Sequence, residues 1–344
     1  MRARDRTHVN AAFTVVELIV VIGCIGLLAG LLLPAIQNAR EAARKVQCGN
    51  QLRQITLATL GYQQIYNVLP SGYHGGFEEH LDDKRWGWGV FIMPFMEQAN
   101  LYNELSISDN SLFTSVYDPT RQLLLQKNVS IYNCPSDANQ ELANRNRDFS
   151  GPTSNSSQFN SSATFNALHL NHLGFRAAGS NYVANFGDFW NPYYALWTDD
   201  ELRGTGIMGC QTSVRFIDIT DGLANTLAFG ERDHQRLAAV WSGVEAWNQC
   251  TAQGVSMVLA AAYKPINAKP TEYPYTCDGG GATGFASKHF SGANFSFCDG
   301  SIRFLSEDTE SIIPPTRQRV PTEPGVLQRL ARINDGSTVP LDQL

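Results

Sequence analysis

Five polar residues in the C-terminal half of this 344-residue chain have side chains of the types that hydrolases and metal sites use. His289 and Asp299 flank a stretch that contains glycine, and Asp218, Asp221 and Glu231 add carboxylates. A histidine beside carboxylates offers a general base or a set of metal ligands. The sequence contains no nucleophile elbow, H-E-x-x-H or phosphate-binding loop. We therefore predict that the protein is not an enzyme.

Structural roles account for most of the same residues. Asp299-Gly300 is a favoured two-residue turn of a β-hairpin, and Asp221-Gly222 is a common turn pair. No cofactor is predicted. Calcium is the metal with candidate ligands, because hard cations prefer carboxylate oxygens. Those candidates are Asp218 and Asp221, although their spacing fits no EF-hand loop.

The chain has seven cysteines, of which only Cys24 lies in an apolar N-terminal segment. The sequence contains no C-x-x-C and no Cys/His spacing typical of zinc sites. Cysteines of an exported domain are more often paired as disulfides. For Cys210 and Cys298, free buried thiols remain an equal alternative. The predicted pairs are Cys48 with Cys134 and Cys250 with Cys277.

Glu17 is a carboxylate inside an apolar run from Phe13 to Leu33. As a helix, this run would be about 31 Å long, which is close to the thickness of a bilayer core. A charged group at that depth costs about 2.5 to 3.5 kcal/mol and therefore indicates a function. The basic residues on both sides of the run do not settle its orientation. We predict a transmembrane segment at 13–33 in which Glu17 needs a compensating partner.

The N-terminus is similar to a known processing signal. A short basic leader, an apolar run that starts with Phe13, and Glu17 at its fifth position resemble the prepilin signal of type IV pilins and type II secretion pseudopilins. The resemblance implies that a prepilin peptidase cuts between Ala12 and Phe13 and that the new amine is methylated. It also implies that Glu17 lies opposite the amine of a neighbouring copy and that Pro34 is the family's helix-bending proline. Ala12 departs from the usual glycine before the cut.

Three other interpretations of the N-terminus stay open. A secretory signal has a shorter apolar core and no internal carboxylate. The sequence around Cys24 resembles a lipoprotein cleavage box, but apolar residues continue well beyond it. A plain single-pass anchor explains the length of the run and leaves Glu17 unexplained.

The remaining chain predicts an α+β fold of pilin-like organisation. Apolar residues recur at steps of three and four beyond Pro34, so one long helix is expected over 13–66, after a leader at 1–12. A head at 67–344 is expected to be rich in antiparallel strands, with an Asn/Ser-rich surface loop over 138–163 and a short helix near 325–333. The predicted strands cover 86–96 (followed by a helix over 97–105), 129–132, 182–185, 214–217, 226–230, 240–241 and the hairpin 293–298 with 301–305.

Further motifs run along the whole chain. His289 is followed by nine residues and then by Asp299-Gly300, and the sequences CGNQLRQI (48–55), MPFMEQ (93–98), CPSD (134–137) and DITDGLANT (218–226), the last leading to Gly230-Glu231, occur upstream. Together they resemble a large paralogous family of domains of unknown function in planctomycete bacteria, the DUF1559 type, whose members begin with a prepilin signal.

This second resemblance implies a pseudopilin-like protein of the cytoplasmic membrane, with its head outside the cytoplasm. The implied partners are the prepilin peptidase, membrane lipid, and copies of itself or other pseudopilins in a filament. A net charge of -6 and a pI near 5.7 argue against a nucleic-acid partner.

A ligand-binding head is the alternative function. Exposed aromatic side chains can stack on sugars, and the stretch 181–197 is the most aromatic part of the chain. Exposure of several of these rings would favour capture of a polysaccharide, and burial would favour a structural subunit.

Overall fold

The computed structural model describes residues 15–74, 84–137, 177–188, 203–236, 238–244, 257–269, 284–312, 323–337 and 339. The chain divides into two compact units, Met1–Arg44 and Lys45–Leu344. The second unit contains the head predicted at 67–344, and it also includes the last part of the N-terminal helix.

Helix α1 (Val15–Tyr66) confirms the predicted long helix over the described residues. Pro34 and Gly49 both lie inside it without ending it. Between Val15 and Leu33 its large apolar side chains are exposed. In the second unit, the buried positions Cys48, Leu52 and Ile55 recur at steps of four and three and form one face.

The helix ends where the chain turns into a left-handed conformation. Asn67 has φ 62°, and its N–H donates to the Gln63 carbonyl oxygen at 2.8 Å. Asparagine tolerates this conformation better than most residues, which makes it a common helix terminator. The predicted end of the helix before residue 67 is therefore confirmed.

Short helices form one part of the head: α2 (Trp88–Phe91), α3 (Ala99–Leu105), α4 (Leu112–Tyr117) and α5 (Pro119–Leu125). Capping residues in the local sequence determine where α4 and α5 begin. The Ser111 hydroxyl accepts a hydrogen bond from Thr114 N–H, and the Asp118 carboxylate accepts one from Thr120 N–H. Pro119 occupies the first turn of α5, where its missing N–H is not needed.

Three predicted strands are wrong, because these segments are helical or irregular. The 86–96 segment contains α2 and a 3-10 turn at Met93–Phe95; the 129–132 segment contains a 3-10 turn at Ser130–Tyr132; and the 214–217 segment leads into one at Phe216–Asp218. Short apolar runs do not distinguish a buried strand from a buried helical turn. Local polar contacts decide the last case, since the Asp218 carboxylate accepts a hydrogen bond from Arg215 N–H at 2.9 Å.

A five-stranded sheet forms the other part of the head. Its order is β5-β2-β3-β6-β7, with β2 (Tyr182–Gly187), β3 (Leu227–Glu231), β5 (Leu259–Ala261), β6 (Gly292–Phe297) and β7 (Ile302–Ser306). Only β5 runs parallel to its neighbour; the other pairs are antiparallel. Strands β1 (Gly179–Ser180) and β4 (Ala239–Val240) form a separate pair. The strands predicted near 182, 226 and 240 and the final hairpin are confirmed, as is the helix near 325–333, which is α6 (Val326–Ala331).

The central strands of the sheet are buried because apolar residues pack against both faces of the sheet, whereas β7 at the edge is only partly buried. Every residue of β2, β3 and β6 is buried. One core joins α1, α2 and the sheet, and a second packs α6 against β6. The predicted surface loop at 138–163 lies outside the described residues.

Candidate functional site

Four buried side chains from distant parts of the chain meet at one end of β3. Cys48 comes from α1, Cys134 follows the 3-10 turn at Ser130–Tyr132, Glu231 ends β3, and His289 lies in the loop before β6. One potential ligand atom from each lies within 4.8 Å of every other. Over the described ranges, this is the one group of His, Cys, Asp and Glu with that property. We call it the Cys-Glu-His cluster.

The two cysteines of the cluster form a disulfide with Cα atoms 5.1 Å apart, within the usual range. This is the pairing predicted from the sequence. It ties α1 to a segment 86 residues away. Among the described residues, Cys210 and Cys298 are buried and are not part of a disulfide. The predicted partners Cys250 and Cys277 lie outside the described residues.

His289 is positioned by its own loop and faces the rest of the cluster. Its N–H donates to the Ser287 hydroxyl at 3.0 Å. Its Nε2 lies 3.3 Å from Glu231 Oε1 and 3.6 Å from Cys134 Sγ. Burial of the imidazole, at 3 % exposure, keeps these contacts away from water.

Glu231 is held by the neighbouring strand. Its two carboxylate oxygens accept hydrogen bonds from Asn294 N–H at 2.7 Å and from the Asn294 amide at 3.1 Å. The register of β3 and β6, which places Gly230 opposite Phe295, brings these residues together. Glycine is required at 230, because an added Cβ would lie 2.5 Å from the Phe285 ring.

A second polar network lies next to the disulfide. Asp137 accepts hydrogen bonds from His234 N–H and from the Asn181 amide, each at 2.8 Å, and His234 Nδ1 also contacts this carboxylate. The Asn181 side-chain oxygen Oδ1 accepts a hydrogen bond from Cys134 N–H at 2.9 Å. Asp137 therefore fixes the CPSD segment against Asn181, which lies between β1 and β2, and against the turn that contains His234.

Asp299 and Gly300 do not join His289. They lie at the opposite end of β6, which at about 3.3 Å per residue separates the two motif ends by roughly 20 Å. Gly300 has φ 85°, and its N–H donates to the Phe297 carbonyl oxygen. Because Phe297 N–H also donates to the Ser301 carbonyl oxygen, the turn has three residues rather than the two predicted. Asp299 caps this turn by accepting a hydrogen bond from Ser301 N–H.

The two calcium candidates have other partners. Asp218 is paired with Arg215 at 2.8 Å, and hydrogen bonding to that guanidinium lowers the pKa of the carboxyl. Both Asp221 oxygens accept backbone hydrogen bonds, from Asp335 N–H and Gly336 N–H. These carboxylates therefore hold local structure, and neither belongs to the Cys-Glu-His cluster.

Most of the described aromatic side chains belong to the core, whereas Tyr66, Tyr117 and Phe290 are exposed. Trp86, Trp88 and Trp241 are buried, and so are Tyr182 and Phe186 in the aromatic stretch 181–197. The Trp86 and Trp88 indoles donate to backbone carbonyl oxygens. The remaining tryptophans and residues 189–197 of that stretch lie outside the described residues.

The predicted N-terminal site is described only in part. Ala12 and Phe13 lie outside the described residues. Glu17 is in the first turn of α1, and Pro34 lies within the helix. In length and composition α1 is able to cross a membrane.

Sequence reasoning named His289 and Glu231 but did not bring them together with the cysteines. Zinc sites are recognisable in a sequence when their ligands are closely spaced, whereas neighbouring positions of this cluster are separated by scores of residues. The motifs that run along the whole chain contain the signal that could have linked these residues. Four of them, CGNQLRQI, CPSD, Gly230-Glu231 and the start of H-x9-D-G, each contribute one residue to the cluster.

A model of a protein family of unknown function, DUF1559, matches residues 37–311. No curated protein and no solved structure matches the chain. The matched region includes every residue of the Cys-Glu-His cluster and begins after the apolar segment. Since it covers most of the chain, the protein belongs to the DUF1559 family.

Proposed function

We propose that this protein is a non-enzymatic, pseudopilin-like structural subunit of the cytoplasmic membrane. A prepilin peptidase cuts before Phe13, the new amine is methylated, and the mature chain assembles through α1 with copies of itself or other pseudopilins. The head lies outside the cytoplasm. The filament is of the pilus or type II secretion pseudopilus kind.

The observation that carries the proposal is the exposed apolar surface of the first part of α1. Val15, Leu27 and Leu33 are 73 %, 69 % and 62 % exposed. Large apolar patches on a protein surface mark a membrane or protein contact. From Val15 to Leu33 the helix is about 28 Å long, enough for a bilayer core.

Glu17 gives that surface a specific use beyond anchoring. It is the acidic residue of the first turn in an otherwise apolar stretch. A plain anchor would be more stable in lipid without it, since a charge there costs about 2.5 to 3.5 kcal/mol. The methylated amine of Phe13 on an adjacent copy supplies a positive charge that offsets this cost during assembly.

The described part of the head supports a structural role. Most of its large aromatic side chains fill the core, and Tyr117 and Phe290 are exposed. Within the stretch 181–197, the described rings of Tyr182 and Phe186 are buried, so they do not favour the alternative, a membrane-anchored protein whose head binds a polysaccharide.

The assembly role of Glu17 is tested by comparing Glu17→Ala with Glu41→Ala, because both carboxylates lie on α1. Glu41 is paired with Arg44 at 2.7 Å, outside the apolar run. We expect Glu17→Ala to insert into the membrane normally and to be lost from sheared filament fractions, while Glu41→Ala assembles as the wild type does. Normal assembly of Glu17→Ala would refute the role given to the carboxylate.

A further inference from the structure

We propose that the Cys-Glu-His cluster is a zinc site that forms when the Cys48–Cys134 disulfide is reduced. The ligands are the thiolates of Cys48 and Cys134, His289 Nε2 and a Glu231 carboxylate oxygen. The disulfide and the metal-bound form are then two alternative states of one buried site. This inference is independent of the assembly role of α1.

The distances within the cluster fit tetrahedral zinc. Bonds of about 2.3 Å to sulfur and 2.0 to 2.1 Å to nitrogen or oxygen give edges of about 3.6 Å from S to N and 3.3 Å from N to O. The corresponding distances are 3.6 Å from Cys134 Sγ to His289 Nε2 and 3.3 Å from His289 Nε2 to Glu231 Oε1. Two edges of the tetrahedron are therefore in place before any metal binds. The other ligand atoms lie within 4.8 Å of one another, and the two sulfurs must separate to about 3.8 Å.

The donor set selects the metal. Two thiolates, one imidazole and one carboxylate form a soft to borderline set that suits Zn²⁺ and disfavours Ca²⁺ and Mg²⁺. All four residues are buried, at 0 to 4 % exposure, which is typical of a closed structural site.

Hydrogen bonds from neighbouring residues already orient Glu231 and His289, the two ligands that are not cysteines. Asn294 donates two hydrogen bonds to Glu231, and Ser287 fixes the backbone of His289. Partners of this kind orient metal ligands and raise affinity. On the Cys134 side, Asn181 holds the backbone N–H. The histidine and the carboxylate are therefore already held next to the two sulfurs, which must separate to admit the metal.

The interconversion balances with a dithiol as reductant. The disulfide takes two electrons and two protons from the dithiol, which becomes a disulfide, and Cys48 and Cys134 become thiols. Zn²⁺ then displaces one proton from each thiol and binds both thiolates. In the reverse direction a disulfide is the oxidant: it takes two electrons from the two thiolates and two protons from water and becomes a dithiol. Cys48 and Cys134 form their disulfide, both zinc–sulfur bonds break and the ion is released.

The test uses the full chain in detergent, purified in a phosphine reductant under nitrogen, and Zn²⁺ or Co²⁺ as the probe. We expect about one metal ion per reduced chain, with the visible bands and sulfur charge-transfer absorption of tetrahedral cobalt. The air-oxidised chain should take up none. Absence of stoichiometric metal from the reduced chain would overturn the proposal.

Two variants assign the site, because the other cysteines also offer thiols. His289→Ala should weaken zinc affinity at least about 100-fold, and Glu231→Gln about 10- to 100-fold. Cys298→Ala, which removes a buried thiol outside the cluster, should bind zinc as the wild type does. Glu231→Gln preserves shape, so it decides the matter if His289→Ala fails to fold. Wild-type affinity in Glu231→Gln, or in a folded His289→Ala, would overturn the assignment.

Discussion

The two parts of α1 contain similar residues and present them to different surroundings. Between Val15 and Leu33 the large apolar side chains are exposed, whereas Leu52 and Ile55 are completely buried. The buried part has its partners within its own chain, in the core that it shares with the sheet. The exposed part is long and apolar enough to cross a membrane. One helix thus has a part that belongs to the core of the head and a part to which we assign membrane anchoring and assembly.

The two cysteines of α1, Cys24 and Cys48, should show the largest difference in stability between the exposed and the buried part of the helix. Cys48 closes a loop of 86 residues, and replacing both Cys48 and Cys134 by Ala should cost about 4 kcal/mol of head stability. Cys24 is exposed and free, so Cys24→Ala should leave that stability unchanged. Denaturant unfolding followed by tryptophan fluorescence reports on the head alone, since α1 contains no tryptophan. Equal effects of the two changes would contradict the division of the helix.

A pair of leucines tests the same division through packing. Leu52→Ala opens a cavity in the core and should destabilise the head by about 2 to 5 kcal/mol. Leu28 is 57 % exposed, so Leu28→Ala should leave unfolding of the head unchanged. The measurement is the free energy of unfolding from the fluorescence transition in detergent. A clear loss of head stability in Leu28→Ala would show that the exposed part also holds the head.

The sequence predicted the elements that local contacts determine, and it did not predict those that depend on distant contacts. The helix α1 and the β6–β7 hairpin were predicted because apolar periodicity and a turn dipeptide act between close neighbours in the chain. The strand predicted over 86–96 was wrong. Its apolar residues indicate burial but not backbone conformation, which Pro94 and contacts with distant residues determine. The Cys48–Cys134 pair was predicted, but its meeting with Glu231 and His289 depends on the complete sheet and has no local signature.

Two glycines of α1 provide a smaller test of the same difference between its exposed and buried parts. An added Cβ at Gly61 would lie 2.9 Å from the Phe95 ring, whereas one at Gly26 meets no atom within 4 Å. Alanine favours a helix by up to about 1 kcal/mol, but overpacking costs about 1 to 3 kcal/mol. Gly61→Ala should therefore destabilise the head by about 1 kcal/mol, and Gly26→Ala should not affect it. A stabilised Gly61→Ala head, measured by the midpoint of unfolding, would mean that Phe95 moves aside without cost.

The smallest expected effect is a pH dependence that belongs to the head. Partial burial lowers the pKa of His74 below its usual value of 6.5, and the part of α1 before Lys45 contains no histidine. Below pH 6.5 the unfolded chain binds a proton that the folded chain resists, so stability falls as the pH falls towards the folded-state pKa. His74→Gln should flatten this slope in melting temperatures measured between about pH 7.5 and 5.5. An unchanged slope would assign the dependence to other groups.

Mass spectrometry of the mature N-terminus, on protein isolated from membranes of the native host, tests the central claim most directly. A pseudopilin-like subunit should begin with N-methylated Phe13, with the first twelve residues removed. A chain that begins at Met1 would be an uncleaved anchor, and one that begins at a lipidated Cys24 would be a lipoprotein. Either of these results would contradict assembly through α1 as proposed.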